Sequence, residues 1–393
     1  MHRPGIIVGA LLALAGCSEP AQQGDAYVVA IDKANAARVD EDTLTFPANM
    51  ISAEIRQKID AYDHERGWFD GADDVHVEQV LFVSDRQNFV TNDEGMIDRY
   101  ANNPYGFIRR ALSYEVKGQD IIIDTEQASL ADVWKELEAS GQVAISSDYP
   151  RPQHDETVYI DKSGLELWRK DAEYIRFPTL FINIDPQVDL DVSIGMSGVK
   201  NAMVALSANM QSVIVVDAQL SQLPEQALKQ TIYEQDYKLA PLGIIPVSLR
   251  VKVDVGCEKT GGQVNIEGGV KATSSLRGEL KYDRTTGTKL GGNGTVTPEL
   301  VGTEFEVVGG GQAELRCSAY PVLAVMFYDR PVGAIIVNAK TRLAISSPPD
   351  TLVAEASLRA DVHGLLSVIG VGPSNGEAPL LDVNKTLWNG PVP

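Results

Sequence analysis

The chain has 393 residues, 34 Lys and Arg against 54 Asp and Glu, and 44% apolar residues. That length predicts two or three domains, each with a core of its own, and the apolar content is too high for a disordered chain. The formal charge of −20 repels phosphate backbones, and no basic stripe offsets it, so no nucleic-acid partner is expected; collagen, coiled coil and a polytopic membrane protein are excluded as well.

Residues 1–16 read as a signal peptide: Arg3, an apolar stretch from Ile6 to Leu14, then small residues, too short to span a bilayer. Leu14-Ala15-Gly16-Cys17 resembles the bacterial lipobox. The resemblance implies cleavage before Cys17 and a diacylglyceryl group on its sulfur, so the membrane is a partner through a lipid anchor. Ser18 at the second mature position, in place of Asp, resembles lipoproteins sorted to the outer membrane. The alternative is an ordinary secretory signal with an incidental Cys17. Residues 17–25 then form a lipidated, polar tether.

The remainder divides near the polar stretch Ser146 to Glu156, which holds Pro150 and Pro152. Residues 18–150 carry 26 acidic and 11 basic side chains, whereas 151–393 carry 28 and 22, so most of the net charge lies in the first part. Residues 26–150 are expected to form a small acidic α+β module. Ile51, Ile55, Ile59 and Tyr62 recur at helical spacing, and Ser129 to Asp132 is a capping-box pattern that predicts a helix through Leu137. Val75 to Ser84 and Gln119 to Asp124 read as strands.

Residues 151–393 alternate with period two over long distances. Val247, Leu249, Val251, Val253, Val255 and Cys257 share one face, and Ser248, Arg250, Lys252, Asp254 and Glu258 share the other. After a turn at Glu258 to Gly262 the alternation resumes from Val264 to Tyr282, with Gly268 and Gly269 as a place to bend. Shorter alternating runs follow at Ala313 to Ala319, Pro321 to Tyr328, Val332 to Val337 and Leu352 to Val362. The fold class is therefore mainly β: an antiparallel β-sandwich or curled long-stranded sheet in the C-terminal half, preceded by the α+β module. Cys257 and Cys317 are the pair left once Cys17 is lipidated, and both lie on inward faces. In an oxidising compartment they are expected to form a disulfide closing a loop of about 60 residues, worth roughly 4 kcal/mol.

Within the first part, Leu44-Thr45-Phe46-Pro47, Gln79 to Ser84, Gly106 to Arg110 and Asp124 to Val133 resemble a module of uncharacterised bacterial surface proteins. That pattern contains no catalytic residue, so the resemblance implies no active site.

Several constellations invite chemistry. Ser197-Gly198-Val199-Lys200, Ser207-Ala208-Asn209 and Lys259-Thr260-Gly261 spell S-x-x-K, S-x-N and K-T-G in the order of the penicillin-interacting serine enzymes. Ser197 sits in a glycine-flanked stretch unsuited to start a helix, however, and Lys259 sits in a turn. Asp189 and Asp191, with Asp185 upstream, are Ca²⁺ candidates whose simpler reading is a wet strand face. The acidic cluster from Asp63 to Asp74 reads as a solvated loop, and the dispersed His64, His76, His154 and His363 as surface imidazoles. No catalytic residue and no cofactor are assigned. The expectation is a non-enzymatic lipoprotein of the cell envelope serving surface binding, adhesion or structural support, with an envelope polymer or protein as partner. Its rivals are a carrier of an apolar ligand or lipid in a curled β domain, and a hydrolase of envelope polymers. A continuous apolar cavity in the second half would separate them.

Overall fold

The computed structural model describes residues 22–23, 26–31, 37–40, 42–66, 79–84, 107–134, 137–143, 157–220, 228–239, 246–261, 263–306, 311–328, 330–347, 351–365, 369–371 and 375–391. The signal segment, Cys17 and Asp70, Asp73 and Asp74 of the acidic cluster lie outside them, whereas Asp63 and Glu65 of that cluster, expected in a loop, fall in the helix Ala53–Arg66.

The first part forms one seven-stranded sheet. Its strands are β1 (Gln22–Gln23), β2 (Ala26–Ala30), β3 (Arg38–Val39), β4 (Thr43–Pro47), β5 (Gln79–Ser84), β6 (Phe107–Lys117) and β7 (Asp120–Gln127), in the order β1-β2-β5-β6-β7-β4-β3. Gln22 and Gln23, expected in the tether, are thus paired to β2. Helix α1 (Ala53–Arg66) starts where Ser52 Oγ accepts from the Ile55 amide at 3.2 Å, and it buries Ile55 and Ile59 with Ile51, Phe46 and Phe82. The short helix α2 (Leu130–Val133) carries the capping box of Ser129 and Asp132. The Phe46 and Phe82 rings stand 5.5 Å apart in this packing, and Arg110 reaches Glu126 at 2.7 Å and Asp132 at 3.5 Å.

The second part is a sandwich of two long-stranded antiparallel sheets. One has the order β10-β11-β12-β15-β16, with β8 and β9 also lying along β11. Its strands are β8 (Leu137–Val143), β9 (Val158–Asp161), β10 (Leu165–Lys170), β11 (Glu173–Gly195), β12 (Gly198–Leu220), β15 (Val264–Asp283) and β16 (Gly287–Glu306). The other has the order β13-β14-β17-β18-β19-β20. It comprises β13 (Leu228–Lys238), β14 (Val247–Gly261), β17 (Gly311–Phe327), β18 (Arg330–Ser347), β19 (Thr351–Leu365) and β20 (Asn375–Pro391). β11 and β12 have 23 residues each, so the sandwich is roughly 70 Å long at ~3.3 Å per residue.

Alternation produces this architecture directly. Val247, Leu249, Val251, Val253 and Val255 are fully buried between the sheets, and Ile266, Leu276 and Leu280 of β15 are buried in the opposite sheet. The opposite face of β14 is only partly wet. Ser248 and Asp254 are buried, and Arg250 holds the buried Asp236 of β13 through bonds of 2.7 and 3.0 Å. Gly268 and Gly269 mark a bulge in the pairing of β15 with β16, and a methyl group on Gly269 would lie 2.0 Å from the Ile214 carbonyl oxygen.

Three expectations change. The helix begun at Ser129 ends at Val133 instead of continuing to Leu137, because residues 137–143 find ladder partners in β11, from Ile194 back to Val188. β14 runs on to Gly261, so only residues 262 and 263 join it to β15, and that short step crosses from one sheet to the other. The runs from Ala313 to Tyr328 are a single strand through Pro321, which faces Val253 of β14.

The sheet of the first part buries both faces. One packs on α1; the other, with Leu81, Val83 and Ile108, joins Leu130, Val133 and Trp134 in an apolar cluster continuous with the sandwich. The junction is at the sandwich end marked by Phe327, Tyr328 and Ile369, where Gly370 lies against Ala131 and Arg330 Nε meets Gln127 Oε1 at 3.4 Å. The first module therefore caps one end of the sandwich.

Candidate functional site

Cys257 and Cys317 form a disulfide between directly opposed positions of β14 and β17, both side chains buried. Asp185, Asp189 and Asp191 lie at alternate positions on the outer side of β11. Asp189 is engaged by Arg277 at 3.1 Å, and Arg277 also donates to Ser207 at 3.0 Å. Among the described residues no group of three His, Cys, Asp or Glu side chains is placed to hold a metal ion, so the three carboxylates are not brought together as ligands.

The serine-enzyme words are separated by the architecture. Ser197 lies in the β11–β12 turn against Arg284, while Lys259 lies near the far end of β14 and donates to the Gly261 carbonyl at 3.0 Å. Nearly the whole length of β12, on the order of 70 Å, stands between those ends. Burial pushes the Lys259 amine below its ordinary value, partly offset by the charge of Glu173.

Polar clusters on the outer faces are closed upon themselves. Buried Asp217 accepts from Arg176 Nε at 2.6 Å and Tyr174 hydroxyl at 3.1 Å, and the Tyr174 ring is flanked by Arg169 and Arg176. Burial first, then the bond to Asp217, raises the Tyr174 phenol above its usual range. These contacts brace the outer face of the sheet.

A different feature lies inside. The apolar interior of the sandwich falls into two clusters, one at the capped end and one at the far end: Val253 belongs to the first and Val255 to the second. Around that division a small pocket of about 20 Å³, room for about one water molecule, lies between the sheets. Ser212 and Ile214 of β12, Val270 and Ala272 of β15, and Val296 and Pro298 of β16 line it from one sheet. Ala339 of β18, Ala356 and Leu358 of β19, and Val383 of β20 line it from the other, with Lys340 and Ser357 also contributing. Ser212, Ala272, Val296, Ala339 and Val383 are only half-buried there, in a row of positions that elsewhere is closed.

The pocket reaches the seam between β16 and β20, the edge strands of their sheets. Nearer the cap this seam is tight. A methyl group on Gly292 would stand 2.4 Å from Leu380 Cδ2, one on Gly294 3.3 Å from Leu381 Cβ, and one on Gly376 3.1 Å from Leu290 Cδ2. Glycines thus let the leucines of the opposite strand close the seam, and beyond Gly294 it widens into the pocket. Comparison with protein-family models, with curated proteins and with solved structures finds no match.

Proposed function

We propose that this protein is a non-enzymatic lipoprotein of the bacterial cell envelope, tethered to the outer membrane through Cys17. In this reading the β domain is a stiff scaffold for surface binding, adhesion or structural support. The observation that carries the proposal is the length of the paired strands. Two sheets with strands of up to 23 residues, packed face to face and capped at one end by the first module, make a spacer of about 70 Å. The chain passes from the tether into that cap, so the end carrying the Cys257–Cys317 bond is the one held away from the membrane. Two acyl chains or more hold such a body stably, each buried methylene contributing ~0.8 kcal/mol.

The test is phase partition of the protein made in its bacterial host. The wild-type chain should enter the detergent phase, and Cys17→Ser should remain an aqueous or unprocessed form. Equal partition of the two would remove the anchor from this reading.

A further inference from the structure

The two sheets of the sandwich end on long strands with one ladder neighbour each, β16 in one and β20 in the other. Both edges carry the word N-x-T, which occurs nowhere else in the sequence: Asn293-Gly294-Thr295 on β16 and Asn384-Lys385-Thr386 on β20. In an exported protein N-x-[ST] without a central Pro is the acceptor pattern for sugar transfer to asparagine, and it serves only where the carboxamide reaches solvent. Both asparagines are exposed. What separates them is the residue two places earlier: Asp382 precedes Asn384, whereas Gly291 precedes Asn293. Alternate positions of a strand share a face, so Asp382, Asn384 and Thr386 stand in one row at steps of about 7 Å, opposite Arg359, Ser357 and Glu355 of β19. All three are exposed, while Val383 between them turns inward to the pocket. The fold thus presents a carboxylate, a carboxamide and a hydroxyl at regular spacing on the solvent side of an edge strand.

We infer that Asn384 is an N-glycosylation site whose donor is an oligosaccharide joined through pyrophosphate to a polyprenyl lipid. The inference rests on export of the chain, as the lipoprotein reading requires. In the transfer the Asn384 Nδ2 attacks the anomeric carbon of the first sugar. The new N–C bond forms as the C–O bond to pyrophosphate breaks; the lipid pyrophosphate leaves with that electron pair, and one amide proton passes to a carboxylate base of the transferase and on to water. Asp382 and Thr386 are recognition residues, the first a partner for a cation of the transferase and the second a hydrogen-bonding hydroxyl. Asn293, with no acid in the corresponding place, stays unmodified. A sugar chain on Asn384 stands beside the unpaired edge of β20 and hinders another sheet from adding there.

The experiment purifies the full chain from the envelope of its bacterial host and measures its proteolytic peptides by mass spectrometry with fragmentation. The inference expects the peptide holding Asn384 to carry a sugar mass increment that fragmentation places on that residue. The increment should vanish in Asn384→Gln, Thr386→Ala and Asp382→Ala, and persist in Asn293→Gln; all four changes fall at exposed positions. An unmodified Asn384 in a chain that has lost residues 1–16 would overturn the inference and leave the lipoprotein reading intact. An increment that survives Thr386→Ala or Asp382→Ala, or that is equally present on Asn293, would overturn it too. Retention of residues 1–16 would show instead that the export reading had failed, and the inference with it.

Discussion

Cys257 and Cys317 face each other across adjacent strands although 60 residues separate them, and the chain between them spends β15 and β16 in the opposite sheet. The bond therefore closes a circuit that crosses the sandwich and returns. Its effect on the unfolded chain is that of a 60-residue loop, roughly 4 kcal/mol in the chain-entropy treatment. Reduction should lower the unfolding midpoint, and Cys257→Ser, Cys317→Ser and the double variant should be equally destabilised, because one bond is lost in all three. Thiol titration of the native protein should find neither cysteine reactive. Two titratable thiols, or additive effects of the two substitutions, would contradict the bond.

Val251 and Lys252 are neighbours in sequence with opposite surroundings. Val251 is fully buried between the sheets, whereas the Lys252 side chain is 37% exposed and lies 3.6 Å from Asp254. Val251→Asp places a carboxylate in an apolar layer and should cost at least about 3 kcal/mol by denaturant titration. Lys252→Gln should change stability by less than about 1 kcal/mol, since its ammonium is the part-exposed member of a 3.6 Å pair and Asp254 keeps its bonds from Thr231 and Lys229. Equal losses would show that the strand is buried on both faces.

Asp254 gives the sheet an acid-sensitive point. Burial opposes its charge, but hydrogen bonds from Thr231 at 2.7 Å and Lys229 at 3.1 Å, with the charges of Lys229 and Lys252, hold its carboxyl below the usual range. A carboxyl with a folded pKa below its unfolded value of ~3.9 contributes fully above that value and loses its contribution as pH falls through the folded pKa. Asp254→Asn should therefore be less stable than the parent near pH 7. The gap should narrow as the pH is lowered below the ordinary carboxylate range, followed by thermal melts from pH 7 to pH 2. A gap independent of pH would contradict this role.

Much of the fold was legible because single strands carry their own pattern. The row from Val247 to Cys257 announces its buried face, and Gly268 with Gly269 announces the bulge. β11 and β12 were harder to see as 23-residue elements, since Pro186 and outward Asp185, Asp189 and Asp191 interrupt the simple reading of one and small residues dilute the apolar face of the other. The helix read through Leu137 stops short because residues 137–143 pair along β11, a partner that no local pattern announces. The pocket was not legible at all. Ser212, Ala272, Ala339 and Ala356 are unremarkable on their own strands, and what aligns them is the register of two sheets, which no local pattern encodes. The serine-enzyme words failed for the same reason in reverse: they stand in the right order, but the first and the third are held at opposite ends of long strands.

The measurement closest to the central claim is small-angle X-ray scattering of the full chain carrying Cys17→Ser. A compact chain of 393 residues would have a radius of gyration of roughly 21 Å. The capped, filled sandwich requires a value clearly above that and a maximum dimension beyond the ~70 Å of the strands alone. A radius near 21 Å with a maximum dimension below 70 Å would mean that the long sheets are folded back on themselves, and the spacer would not exist.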